Sequence, residues 1–211
     1  MARFLPLFPL NIVVFPGEKL NLHIFEPRYK QLITECLQQE STFGMPSFLN
    51  NRITTIGTEL KILSLEKTHP NGEMDIKTIG LGPIRILDFY KQAPNKFYPA
   101  GSVEDISFHN QEDPVLKHQI TECLRQMYSI LGIEKLYMNL PADYKIFDIA
   151  HHLGLSTEQE YELLQCETEL ARQNLVLTHL QKVMPVILET ERLKERVRMN
   201  GHFKNIIPPN F

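Results

Sequence analysis

LPLFPLNIVVFPGEKLNLHIFEPRYKQL, residues 5–32, is the stretch around which the rest of the chain is read. Pro6 and Pro9 lack the N–H that a central strand needs, so the start belongs on a sheet edge or a barrel rim. Pro16-Gly17 suits the middle of a type II turn, with glycine taking positive φ. Leu20, Leu22 and Ile24 share one face of an extended segment and Asn21 and His23 the other, which predicts a half-buried strand over 20–24. Pro27 fits the first helical position, where a missing N–H costs nothing. Tyr29, Leu32, Ile33, Cys36 and Leu37 then follow helical spacing and predict a helix over 27–39.

Working outward, residues 43–108 read as successive antiparallel strands at 43–48, 58–66, 73–79, 84–91 and 97–108. Pro70-Asn71-Gly72 and Gly80-Leu81-Gly82-Pro83 are read as tight connections. No intervening helix is long enough for a parallel crossover, so a meander closing into a small barrel is expected. From 113 the period becomes helical. Asp113-Pro114 opens a helix that Gly132 stops. A second covers about 143–153, opened by Asp143 and closed by Gly154. A third begins at Ser156 with Gln159 three residues on, a capping-box pattern. A long segment over 167–184 meets Pro185, which kinks it or starts a new helix over 186–199, ended by Gly201. The expected fold is α+β: an N-terminal antiparallel pseudo-β-barrel with one helix (1–110), a C-terminal helical bundle (113–200) and an irregular tail (201–211).

Composition narrows the function. With 43% hydrophobic and 22% charged residues, the 211-residue chain falls in the ordinary globular range. Its net charge of −3 gives no global reason to expect nucleic acid or anionic lipid. Cys36, Cys123 and Cys166 are few, odd in number and widely spaced, which reads as buried reduced thiols and a cytoplasmic protein. Prolines break the apolar N-terminus and no A-x-A-like site follows, so a signal peptide is not expected. No run approaches the roughly 18 apolar residues of a membrane span.

The opening segment resembles the start of the LON N-terminal domain, the substrate-binding domain of Lon-type ATP-dependent proteases. FG at 43–44, IGTELKI at 56–62, PNGEMDIKTIGLGPIRIL at 70–87 and DIAHHLGLSTEQEYELLQ at 148–165 fit the same family in the same order, to about residue 190. The resemblance implies a pseudo-barrel related to PUA-like folds followed by a helical bundle, and a module that grips protein segments. The chain carries no G-x-x-x-x-G-K-[ST] phosphate loop, and its length leaves no room for a serine–lysine peptidase domain. One local departure is Pro83, where family members often carry a basic residue ahead of the arginine kept here as Arg85.

Chemistry-bearing patterns are sparse. Adjacent His151 and His152 point about 100° apart on a helix. His23, His69, His109, His118, His179 and His202 show no ligand spacing, so no metal site and no cofactor are expected. No G-x-S-x-G elbow occurs, and Gly80-x-Gly82 leads into a strand, unlike a dinucleotide fingerprint. Glu26 sits at a helix start, where its carboxylate favours the dipole and can cap N–H groups or pair with Arg28. The candidate partner-binding residues are His23, Glu26, Arg28, Tyr29, Lys30 and Arg85. The leading reading is a non-catalytic module for proteins or unfolded peptide segments, without membrane or nucleic-acid partners; a homodimer stays open. The competing readings are a PUA-like RNA- or nucleotide-binding module and a cryptic hydrolase.

Overall fold

The computed structural model describes residues 2–109, 111–135 and 140–202. The expected tail, apart from its first two residues, lies outside them. Contacts divide the chain into two units: Met1–Gln111 with Lys145–Ala171, and Glu112–Tyr144 with Arg172–Phe211. This division differs from the expected 1–110 and 113–200, because segment 145–171 returns to the sheet unit.

In the first unit the order is β1 (Arg3–Pro6), β2 (Lys19–Ile24), α1 (Pro27–Gln39), β3 (Phe43–Leu49), β4 (Arg52–Thr68), β5 (Met74–Tyr90) and β6 (Ala100–Asp105). One antiparallel sheet runs β1-β6-β5-β4-β3, and β2 pairs with β5. The chain leaving β1 then bridges β3 in parallel, Leu7 to Gly44 and Leu10 to Ser47, so the two edges of the sheet meet. Phe8 N–H donates to the Gly44 carbonyl at 2.8 Å and Phe48 N–H to the Leu10 carbonyl at 2.7 Å. Pro6 and Pro9 lie along this closing edge, as their missing N–H groups require.

Local signals explain the turns and α1. Glu18 N–H closes on the Phe15 carbonyl at 3.1 Å, and Gly17 takes φ of +85°, a type II turn around Pro16-Gly17. Asn50 and Asn51 at positive φ join β3 to β4 by a two-residue loop. Tyr29, Leu32, Ile33 and Cys36 form the buried face of α1 and enter one core cluster with Ile24, Phe43, Met45, Leu60 and Ile76.

The strands differ from expectation in extent. The predicted 73–79 and 84–91 are one continuous strand, β5, and β4 begins at Arg52. Gly80-Leu81-Gly82-Pro83 is therefore not a connection. Leu60 pairs with Gly80 and Glu59 with Gly82, which leaves Leu81 as the extra residue of a bulge. Here β5 exchanges partners: Met74–Ile79 face β2 and Ile84–Tyr90 face β6. Pro83 is tolerated because it falls at that exchange.

The helices after residue 113 are shared between the two units, so the described residues show no single C-terminal helical bundle. Segment 145–171 holds α3 (Ile146–Ile149), a 3₁₀ turn (Ala150–His152) and α4 (Thr157–Gln165). The predicted start at Asp143 gives way to Lys145, whose N–H donates to the Asp148 carboxylate at 2.8 Å. The Ser156/Gln159 capping box is present as predicted.

The second unit holds α2 (Pro114–Ile130) and α5 (Glu169–His202), which bridges the division between units and continues through Pro185 and past Gly201. The Asp113 carboxylate caps α2 by accepting from Val115 N–H at 2.7 Å and Leu116 N–H at 3.3 Å. Replacing Asp113 with Ala should cost about 1 kcal/mol, read as a lower urea midpoint with an unchanged slope.

Cys36, Cys123 and Cys166 are not joined in disulfides among the described residues; Cys36 is buried, whereas Cys123 and Cys166 are only half-buried. Burial raises the Cys36 thiol above its usual range. No described helix is long and apolar enough to cross a membrane.

Candidate functional site

The first unit carries a groove of about 490 Å³ beside the start of α1, a size within the range of about 300–1,000 Å³ typical of ligand pockets. Pro9 and Leu10 come from the closing edge, Phe48 from β3, Phe89 from β5 and Arg28 and Tyr29 from α1. The Tyr29 ring is buried and stacks on Phe8 with centroids 3.9 Å apart, and burial raises its phenol above the usual range. The Arg28 guanidinium lies 4.5 Å over that ring, a cation–π contact, and bonds to the Glu26 carboxylate at 2.9 and 2.8 Å. Glu26 occupies the N-cap position of α1 but makes no side-chain cap; its carboxylate orients Arg28 instead. Phe48 stays 41% exposed and, with Leu10, Phe89 and Tyr29, gives the groove its apolar lining.

The other candidates lie away from the groove lining. Lys30 Nζ donates to the Asn71 carbonyl at 3.1 Å. Arg85 stands opposite Glu104 across β5 and β6 and bonds to it at 3.0 Å, with Glu167 at 3.8 Å. This cross-strand pair gives Arg85 carboxylate partners on its own surface.

His23 belongs to a third place. Its Nδ1 lies 2.7 Å from Asp75 Oδ1 and its Nε2 3.2 Å from Glu73, while His69 Nε2 lies 2.7 Å from Asp75 Oδ2. The hydrogen bond to Asp75, followed by the surrounding carboxylate charge, raises the His23 imidazole above its usual range. Both histidine bonds lower the Asp75 carboxyl, and Asn71 leads the lowering of Glu73. Histidine spacing along the chain hides this cluster, because β2, the turn after β4 and the start of β5 supply its members. The signal was the Pro70-Asn71-Gly72 hairpin, which folds His69 back beside the residues after the turn. Phe48 and Phe89 were also missed: each reads as one more apolar strand residue until closure places the groove.

A family model described as the ATP-dependent protease La (LON) substrate-binding domain matches residues 4–182. The chain is 25% identical over 199 residues to the Lon protease of Lawsonia intracellularis, covering 83% of this chain and 23% of that protein. It thus spans about a quarter of that relative's length. Its structure is similar to the Lon N-terminal domain protein of Xanthomonas campestris, with a TM-score of 0.66, 24% identity, and 83% and 98% of the two chains covered. It is also similar to the N-terminal domain of Mycobacterium avium complex Lon protease, with a TM-score of 0.63, 15% identity, and 85% and 98% covered. These two neighbours share the fold. The match over most of its length, with its motifs in family order, makes this chain a member of the LON substrate-binding domain family.

Proposed function

We propose that this protein is a non-catalytic module that binds extended, unfolded segments of other proteins through the groove beside α1. The observation that carries the reading is the half-exposed Phe48 ring in a lining that also holds Phe89, Leu10 and Tyr29. An apolar side chain from an extended peptide gains by covering such a surface, at roughly 25 cal/mol per Å² removed from water. Arg28, held by Glu26 over the Tyr29 ring, supplies a fixed cation at the rim that can donate hydrogen bonds to a peptide carbonyl or carboxylate. The PUA-related barrel expected from the resemblance is consistent with the closed antiparallel sheet, and the family's description as substrate-binding points the same way.

The test is fluorescence anisotropy with a labelled, reduced and carboxymethylated polypeptide that stays unfolded. The wild-type protein should bind it and ignore the folded, disulfide-intact form. Phe48→Asp places a charge in the groove and should weaken binding about tenfold, a change of about 1.4 kcal/mol. No binding by wild type, or wild-type affinity in both the Phe48→Asp and Phe89→Asp variants, would sink the proposal.

A further inference from the structure

We propose that His23, His69 and Asp75 form a binding site for a zinc-like divalent transition-metal cation, with Glu73 orienting His23 from behind. The site is separate from the groove, and nothing in the peptide-binding reading requires it.

Strand pairing builds the site. In the β2/β5 register His23 stands directly opposite Asp75. His69 leaves the end of β4, and its N–H bonds to the Glu73 carbonyl at 2.8 Å, bringing the third ligand to the same end of β5. One donor atom from each of the three residues lies within 4.8 Å of the others. Zinc bonds of about 2.0–2.2 Å in a tetrahedron set neighbouring donors roughly 3.3 Å apart. The two contacts to Asp75 therefore need to open only slightly from 2.7 Å. These side chains are 27–49% exposed, so small rotations meet no packed core and water can complete the coordination.

The donor set selects the ion. Two imidazoles and one carboxylate suit Zn²⁺, Co²⁺, Ni²⁺ or Cu²⁺ and disfavour Mg²⁺ and Ca²⁺, which prefer all-oxygen shells. A second observation concerns the far side of the ring. With His23 Nδ1 on the metal, its Nε2–H donates to Glu73, already 3.2 Å away. A carboxylate behind a ligating imidazole fixes its tautomer and raises its basicity. Glu73 faces one cation from α1, Lys30, whose Nζ donates to the Asn71 carbonyl at 3.1 Å. Two carboxylates against one ammonium, with both imidazoles neutral, leave a net negative charge that favours a dication. On binding, each ligating imidazole keeps one N–H, on the ring nitrogen turned away from the ion, and the second proton of an imidazolium leaves to solvent.

The test uses full-length protein without a polyhistidine tag, titrated with Zn²⁺ by calorimetry and with Co²⁺ by its visible d–d bands. Wild type should saturate at one ion per chain, and Mg²⁺ should not compete. His69→Gln and Asp75→Asn should each weaken binding at least tenfold, Glu73→Gln about tenfold, and His118→Ala not at all. Zn²⁺ should also raise the melting temperature of wild type and leave that of Asp75→Asn unchanged. Should one substitution unfold the chain, as read by circular dichroism, the others decide. Absence of saturable binding would overturn the site, as would wild-type affinity in both His69→Gln and Asp75→Asn. Unchanged affinity in Glu73→Gln would overturn the orienting role.

Discussion

Gly80→Ala should unfold well before the wild-type protein, whereas Gly82→Ala, two residues away, should not. A Cβ on Gly80 would collide with the Phe15 carbonyl oxygen and lie 3.2 Å from its carbon. Both are backbone atoms, fixed because Gly17 N–H donates to the Gly80 carbonyl at 2.8 Å and Gly80 N–H to the Glu18 carbonyl at 2.9 Å. An added methyl must therefore push the Pro16-Gly17 turn off β5 and break bonds on both sides of one residue. Overpacking costs about 1–3 kcal/mol, and the two strained hydrogen bonds add about 1 kcal/mol each. The expected loss is about 3 kcal/mol or more, a fall of about 6–12 °C in melting temperature for a chain of this size. A Cβ on Gly82 meets nothing within 4 Å, so Gly82→Ala should stay within about 0.5 kcal/mol of wild type. Parallel thermal melts of the two variants decide the matter. Equal destabilisation would show that the turn does not press on β5 as described.

The same pair of glycines marks where sequence reading succeeds and where it fails. Local chemistry was legible: Pro16-Gly17 makes its turn, Pro27 opens α1, Asp113 caps α2 and Ser156/Gln159 box α4. Each of these depends on residues within four positions, so spacing alone carries it. Gly80-Leu81-Gly82-Pro83 has turn composition, yet these residues continue one strand through a bulge. What selects glycine there is the Phe15 backbone, about 65 residues away in the chain, and no local rule records it. The β3/β4 loop was missed because Asn50-Asn51 does the work usually signalled by Asn-Gly. The candidate site divides the same way. Arg28 and Tyr29 could be found because they share the recognised opening motif. The aromatic wall of Phe48 and Phe89 exists only after the sheet closes. His69 and Asp75 meet His23 only after β2 finds β5.

His151 should make the stability of this protein fall between near-neutral and alkaline pH. The ring lies between two carboxylates: Nδ1 is 2.7 Å from Glu160 Oε1 on α4, and Nε2 is 3.1 Å from Glu18 Oε2 beside the Pro16-Gly17 turn. Glu18 Oε2 also accepts the Phe15 N–H at 2.8 Å, and the Phe15 ring lies 5.0 Å from the imidazole. The hydrogen bond to Glu18, opposed by burial and reinforced by Glu160, raises His151 to about 9 from its ordinary 6.5. The charged imidazolium thus ties segment 145–171 to the turn that leads into β2. In the unfolded chain His151 releases its proton near 6.5, and in the folded protein it holds it to about 9. The folded state therefore binds more protons across that window, so stability falls as pH rises. The contribution is fully present below pH 6.5 and is lost as pH passes through about 9. Taken at face value the shift corresponds to roughly 3 kcal/mol. The side chain is 37% exposed, and solvent screening reduces the expected effect to about 2 kcal/mol. Urea unfolding at a series of pH values should show wild type losing about 2 kcal/mol more than His151→Gln between pH 6.5 and 9.5. Glutamine keeps a donor for one carboxylate but does not titrate, so its curve subtracts every other group that changes charge in that range, including His23. NMR titration of the His151 ring supplies an independent readout, with its midpoint expected near 9. Parallel pH profiles for the two proteins, or a ring midpoint at 6.5, would show that the imidazole is not held between Glu18 and Glu160 in solution.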